Sequence, residues 1–296
     1  MPQEQLADAL IEWFERAARP LPWRATSANE VDPWAVLVSE FMLQQTQASR
    51  VIPYFEAWIA RWPRPSALAA EPAGEAVRAW GRLGYPRRAL WLHRAAAQLA
   101  LEFDDQVPRD IDALLALTGI GPYTARAVAA FAFGDRHPVV DTNTRRVIAR
   151  LVHGQAAAAA PRPSDLDDMA QLLPEHPLRA REFNAAAMEL GAIVCTARTP
   201  ACSECPIASW CEWRGSGYPD NAPRTRRQAA FQGSDRQVRG RIMALLRRSQ
   251  EPVSREAALA AAAEGGVRDA AQPQRAFDSL ITDGLIVEHD TVVRLP

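Results

Sequence analysis

The 296-residue chain has no lysine: all 34 of its basic side chains are arginine. No side-chain amine is therefore available for Schiff-base chemistry. Against 35 acidic residues the net charge is −1, which neither demands a polyanionic partner nor excludes one gripped locally. No uninterrupted apolar run approaches the ~20 residues of a membrane span. The amphipathic start MPQEQLADALIEWFERAARP also lacks the basic-then-apolar order of an export signal. A soluble, cytoplasmic protein without membrane association is the expectation. Period-two alternation is nearly absent, so a parallel sheet has no obvious strands. Cysteine is scarce as well, and Cys195, Cys202, Cys205 and Cys211 all fall within 17 residues. That clustering points to metal ligation rather than a disulfide framework.

What is abundant is helical periodicity. Residues 5–18, 34–49, 51–60, 86–102, 109–116, 122–133, 141–151, 164–172 and 178–192 read as helices, with shorter ones near 66–80. Pro and Gly punctuate the joins, as in RWPRP and LGYPRR. An all-helical region of about 215 residues is expected, followed by a Gly, Pro and Arg-rich stretch at 215–236 that reads as a linker. The arginines of that stretch suit either a phosphate backbone or a solvated hinge. Beyond it, helices are expected over 237–248, 254–263 and 271–283, then two β-type runs about His289-Asp290, which together suggest a small winged-helix-like module. The helix QVRGRIMALLRR at 237–248 suits a DNA contact or a solvated face equally.

The stretch LTGIGPYTARAVAAFAFGDRHPVVDTN, 117–143, has a Gly-x-Gly turn and an aspartate some twenty residues on, as a dinucleotide site has. Its context contradicts that reading. The preceding IDALLAL is helical in character, and Thr124 stands where the third glycine belongs. What remains is helix, tight turn, helix, with Pro122 near the first helical position. Successive backbone N–H groups and a helix N-terminus suit a phosphate.

The cysteines follow C-x6-C-x2-C-x5-C in CTARTPACSECPIASWC, 195–211. Four soft thiolates suit zinc or an iron-sulfur cluster, and this spacing resembles the [4Fe-4S] loop of helix-hairpin-helix DNA glycosylases and endonucleases. With LPWR (21–24), SEFMLQQTQ (39–47), LGY (83–85), GIGPYTA (119–125), VDTNTRRV (140–147) and ELGAIVC ahead of the cluster, residues 5–214 resemble the adenine DNA glycosylases. The fold implied is an all-α helix-hairpin-helix glycosylase fold with a cluster loop. Its expected division is a helical barrel subdomain over about 25–135, and a cluster subdomain of the N-terminal helix with 136–214.

The resemblance also implies residue roles. Glu40 lies in an apolar helix with Trp34, Leu37, Phe41 and Leu43 at neighbouring positions. Burial there would favour the protonated acid, although an ordinary helix-face carboxylate fits the pattern too. By resemblance Glu40 protonates adenine N7 and Asp141 faces the sugar cation, with Asn143 as a positioning group. Asp141 equally suits the N-cap of the next helix, and the two carboxylates together would divide acid duty from cation stabilisation. Tyr123 occupies the hairpin position where strand-cleaving relatives carry lysine, so the reaction is expected to stop at an abasic site.

Trp23, Arg24, Leu43 and Met188 match the adenine pocket. Gln45 and Tyr85 match residues inserted around the mispair, a step that works against base stacking. Gly119, Gly121 and Thr124 match the DNA grip. The implied partner is double-stranded DNA carrying a mispair, bound by a monomer that associates with the nucleoid.

Three positions depart from the family. Ala185 replaces a Gln or Glu able to read the adenine edge, Pro86 replaces a second tyrosine, and Thr142 replaces a glycine in a pattern shared with mismatch thymine glycosylases. The tail of about 60 residues is too short for a nucleotide-hydrolase-like lesion-recognition domain. A thymine or uracil mismatch glycosylase and a non-catalytic DNA-binding protein are therefore the competing readings.

Overall fold

The computed structural model describes residues 2–24, 31–222 and 231–296. In chain order its helices are α1 (Pro2–Ala17), α2 (Pro33–Leu43), α3 (Ala48–Arg61), α4 (Pro65–Ala69), α5 (Ala73–Trp80), α6 (Arg87–Glu102), α7 (Ile111–Ala116) and α8 (Pro122–Phe133). They continue with α9 (Thr142–Leu151), α10 (Ser164–Leu172), α11 (Pro177–Ile193), α12 (Glu212–Gly215), α13 (Asp235–Arg248), α14 (Arg255–Ala263) and α15 (Gln272–Thr282). The only strands among the described residues, β1 (Val253–Ser254), β2 (Val287–His289) and β3 (Val292–Arg294), form an antiparallel sheet in the order β1-β3-β2.

Most boundaries follow the Pro and Gly punctuation. One expected helix does not hold: the 34–49 segment breaks after Leu43, where Gln45 adopts φ 58° before α3 begins. Of the linker, 223–230 and with it Arg224, Arg226 and Arg227 lie outside the described residues.

Contacts divide the chain into two compact units. The first comprises Met1–Glu40, Pro108–Ala116 and Ile120–Thr225, and the second Phe41–Val107, Leu117–Gly119 and Arg226–Pro296. In the first, α1, α9, α10 and α11 bury Leu6, Leu10, Ile11, Val147, Ile148, Met169, Phe183 and Leu190 in one core. Cys195, Cys205, Cys211 and Trp210 pack against that core, which anchors the cysteine loop. A smaller cluster of Ala127, Ala130 and Val139 supports Tyr123, Phe131 and Met188.

In the second unit α3, α5 and α6 bury Val51, Phe55, Val77, Leu92 and Leu99, with edge-to-face tryptophans Trp58–Trp62 and Trp58–Trp80 at 4.6 and 5.8 Å. The C-terminal elements belong to this unit and enclose Val238, Ile242, Leu246, Phe277, Leu280 and Val293. Two arginines lock α13 to α5. Arg78 Nη1 donates to the carbonyls of Leu246 and Ser249, and Arg247 Nε donates to Val77 O at 3.1 Å. Burial pulls the Arg247 guanidinium down to about 10.

Two further α13 arginines are similarly committed: Arg239 to Ser279 and Asp283, and Arg241 to the carbonyls of Ala262 and Gly266, while Arg236 and Arg248 are exposed. The bonds of Arg239 and Arg241 hold the C-terminal elements together.

Candidate active site and cluster loop

Helix α2 is apolar on nearly every face, which marks a buried helix. Asp32 Oδ1 accepts the Trp34 N–H at 2.9 Å at its start. Its one ionisable residue, Glu40, is 5% exposed. Burial foremost, then the negative charge of Asp141, push the Glu40 carboxyl up to about 8, while a hydrogen bond with the Tyr123 hydroxyl opposes the rise. Tyr123 is itself raised well above the usual phenol range by burial and by the two carboxylates, so it remains protonated. The structure thus brings Glu40, Tyr123 and Asp141 within electrostatic reach of one another, a meeting that sequence spacing could not show.

Asp141 is the N-cap of α9: Oδ1 accepts Thr144 N–H at 2.7 Å, and Oδ2 accepts Asn143 Nδ2–H at 2.9 Å. The capping function and an oriented carboxylate coexist in one side chain. Arg146 fixes the Asn143 amide by donating to its Oδ1 at 2.9 Å, and donates also to Gly191 O and Cys195 O. Gly191 lets α11 approach this closely, because a Cβ there would lie 2.8 Å from Asn143 Cβ. Asn184, fully buried, accepts Val139 N–H and donates to His137 O and Ala180 O, clamping the segment that leads into Asp141.

The first unit also holds Trp23, Arg24 and Met188. Met188 packs in the same small cluster as Tyr123. Arg24 is tied by Nη2 to Glu189 Oε2 at 2.8 Å, and Arg19 Nε joins the same carboxylate at 2.6 Å. Glu189 is 0% exposed, and against the cost of burial these hydrogen bonds and charges hold its pKa below the usual carboxylate range. Ala185, one turn before Glu189 on α11, is half-buried and presents no polar group. Gly121 caps α8 with Pro122 following and open space around it. Thr124 is 2% exposed, so any phosphate contact there falls to its backbone rather than its hydroxyl.

Leu43, Gln45, Tyr85 and Gly119 belong to the second unit. Gly119 takes φ +82°, and a Cβ there would lie 2.7 Å from Trp91 Cβ. Arg88 links the turns that carry Gln45 and Tyr85: it donates to Gln44 O, and its guanidinium carbon lies 4.5 Å from the Tyr85 ring centroid.

Glu189, Asn184, Arg146 and Arg88 were not singled out from sequence. A polar residue inside the apolar run FNAAAMEL and an acid in ELG were the available signals for Asn184 and Glu189.

The cysteine loop fits an iron-sulfur cluster. Arg150 is buried with no carboxylate partner among the described residues, and its Nη1 lies 3.2 Å from Cys195 Sγ and donates to Thr196 O. Such a cation suits a thiolate-bound group carrying negative charge. Burial raises the free thiol of Cys205 to about 11 and raises that of Cys211, so without a bound cationic group both are neutral thiols. Among the described residues no three His, Cys, Asp or Glu side chains gather as a single ion would require. Cys195, Cys202 and Cys211 each act electrostatically on Cys205, which places the four within one loop site.

Comparison with known proteins places these features. Residues 38–165 match the HhH-GPD superfamily of base excision DNA repair proteins, and residues 195–211 match the iron-sulfur binding domain of endonuclease III. An adenine DNA glycosylase of Mycobacterium tuberculosis is 52% identical over 278 residues, spanning 94% of this chain and 88% of the relative. The chain belongs to the adenine DNA glycosylase family. A second relative in this family, from Mycolicibacterium smegmatis, is 53% identical over 277 residues, spanning 94% of this chain and 91% of its own length. The solved structure of a thermostable thymine-DNA glycosylase matches with TM-score 0.64 and 26% identity over 72% of this chain and 97% of that one.

The fold is the all-α helix-hairpin-helix glycosylase fold, and the matched iron-sulfur binding segment supports a [4Fe-4S] cofactor, which Cys195, Cys202, Cys205 and Cys211 would hold. Substituting Cys205 by Ala is expected to remove iron, sulfide and visible absorbance together and to expose the loop to proteolysis. Metal analysis checks this, and stoichiometric zinc without iron in the wild-type protein would contradict it. No helix among the described residues is long and apolar enough to cross a membrane.

Proposed function

We propose that this chain hydrolyses the N-glycosidic bond of adenine mispaired with 8-oxoguanine or guanine in double-stranded DNA, leaving an abasic site for base-excision repair. The observation that carries this reading is a buried Glu40, protonated at neutral pH, set beside Asp141 and the neutral hydroxyl of Tyr123. Glu40 protonates the adenine ring, which makes the base a competent leaving group. Asp141, oriented by Asn143 and the N-terminus of α9, faces the cationic character that develops at C1′. Both close relatives bear the name adenine DNA glycosylase.

In this reading Trp23, Arg24, Leu43 and Met188 are the adenine-contacting residues, and Gln45 and Tyr85 enter the duplex. Gly119, Gly121 and the Thr124 backbone grip phosphate. Residues 1–214 act as the glycosylase region, with 237–296 as a small winged-helix-like module. The enzyme works as a monomer in the cytoplasm, at the nucleoid when bound to DNA.

With no lysine in the chain, no side-chain Schiff base can form, so strand cleavage does not accompany base release. A second reading, thymine or uracil release from a mismatch, is favoured by Ala185 and Thr142 and by likeness to the thymine-DNA glycosylase structure. Duplexes carrying A opposite 8-oxoguanine, A opposite G and T opposite G, assayed with and without alkali, separate them. Alkali-dependent breaks at adenine alone are expected. Efficient processing of T opposite G with both adenine duplexes intact would replace the first reading by the second, and alkali-independent breaks would refute the absence of lyase action.

A further inference from the structure

Two exposed residues of the second unit sit in left-handed backbone that side chains seldom adopt: Gln45 at φ 58° and Tyr85 at φ 47°. Tyr85 precedes Pro86, a position that ordinarily drives the chain to extended geometry, and it is 51% exposed. A strained pair of this kind persists only where its surroundings over-determine it. Here the surroundings are specific. Thr46 Oγ1 lies 3.3 Å from Leu83 O, and Trp80 Nε1 donates to Gly84 O at 2.9 Å. Between the two turns lies Arg88.

Arg88 is out of place by every local criterion. It is 8% exposed, and burial lowers its pKa. Among the described residues no carboxylate pairs with it. It also occupies the first turn of α6, which has no acidic residue, so its charge lies at the positive end of the helix dipole. An apolar side chain would suit both the burial and the helix better. What the guanidinium does instead is join the two turns, donating from Nη1 to Gln44 O while its carbon lies over the Tyr85 ring. Its backbone N–H closes on Tyr85 O at 3.0 Å. The adjacent Arg87 ties the same turn to Asp283 of the C-terminal elements.

We propose that Arg88 is the positioning residue that holds Gln45 and Tyr85 as one preformed wedge for entry into mispaired DNA. The role rests on the proposed function, because the wedge has work to do only if a base must leave the stack. With the wedge preformed, the ordering of the two turns does not have to be met at the moment of insertion. Lysine cannot replace the residue, since a point ammonium cannot both stack on the ring and bond the carbonyl in one plane.

The test compares wild type with Arg88→Lys and Arg88→Gln on two duplexes, one with adenine opposite 8-oxoguanine and one with adenine opposite an abasic-site analogue, where there is no partner base to displace. Single-turnover release from the mispair is expected to fall between about tenfold and about a hundredfold, with a much smaller loss opposite the abasic analogue. In a Glu40→Gln background, the fluorescence of 2-aminopurine placed at the target position is expected to rise less on binding when Arg88 is changed. Equal losses on both duplexes, or none, in folded variants would overturn the proposal. Should both variants fail to fold, Thr46→Val, which removes a second link between the turns, decides by the same comparison: a selective loss on the mispair supports the wedge, and an equal loss refutes it. A wild-type protein that releases no adenine removes the proposed function instead, and the fluorescence comparison still reads the wedge.

Discussion

Glu40→Gln is expected to slow single-turnover base release by about 10²–10⁴-fold, the usual worth of a positioned general acid, while leaving affinity for the mispaired duplex within about threefold in a filter-binding or fluorescence measurement. The amide keeps the shape and the contact with Tyr123 but has no proton to give. The same substitution carries a stability signature of opposite sign. An unfolded chain releases the Glu40 proton near the ordinary 4.5, and the folded protein keeps it until about 8. The contribution of the neutral acid is therefore full below 4.5 and drains away as pH rises through about 8, on the order of 5 kcal/mol for this displacement. Glu40→Gln should accordingly melt close to wild type in acid and above it in alkali. A variant destabilised at every pH would show that Glu40 serves packing rather than chemistry.

Asp141→Asn is expected to cost about 10²–10³-fold in the same assay, because the amide still caps α9 but cannot stabilise a sugar cation. Comparison with Asp141→Ala separates the two functions of the residue. Alanine should lose both the catalysis and the cap, with an additional loss of about 1 kcal/mol in stability, whereas asparagine should melt near wild type. Removing the Asp141 charge also removes one cause of the raised Glu40 pKa, so any residual activity should fall away at lower pH than in wild type. An asparagine variant that retains full rate would confine Asp141 to capping.

Much of this was legible in the sequence for a physical reason. Pro and Gly fix backbone geometry directly, so the bounds of α6, α8 and α11 follow from LGYPRR, GIGPYT and HP. The burial of Glu40 was likewise readable from its apolar neighbours. The break after Leu43 was not, because Gln45 takes a left-handed φ without the glycine that usually signals it. Arginine roles were opaque for a different reason: Arg78, Arg146, Arg150 and Arg247 are bonded largely to backbone carbonyls, which leave no mark on residue type. The electrostatic coupling of Glu40 and Asp141, about a hundred positions apart in the chain, is a long-range relation that no local pattern signals.

The central claim is that adenine leaves by protonation from a buried Glu40 whose pKa lies near 8. Its most direct test is the pH dependence of the single-turnover rate on a duplex carrying adenine opposite 8-oxoguanine, with the released base identified by mass. The account predicts free adenine, a rate that declines about tenfold per pH unit above about 8, and loss of that alkaline limb in Glu40→Gln. A rate unchanged through pH 8 and above, or an alkaline limb that survives in Glu40→Gln, would contradict it.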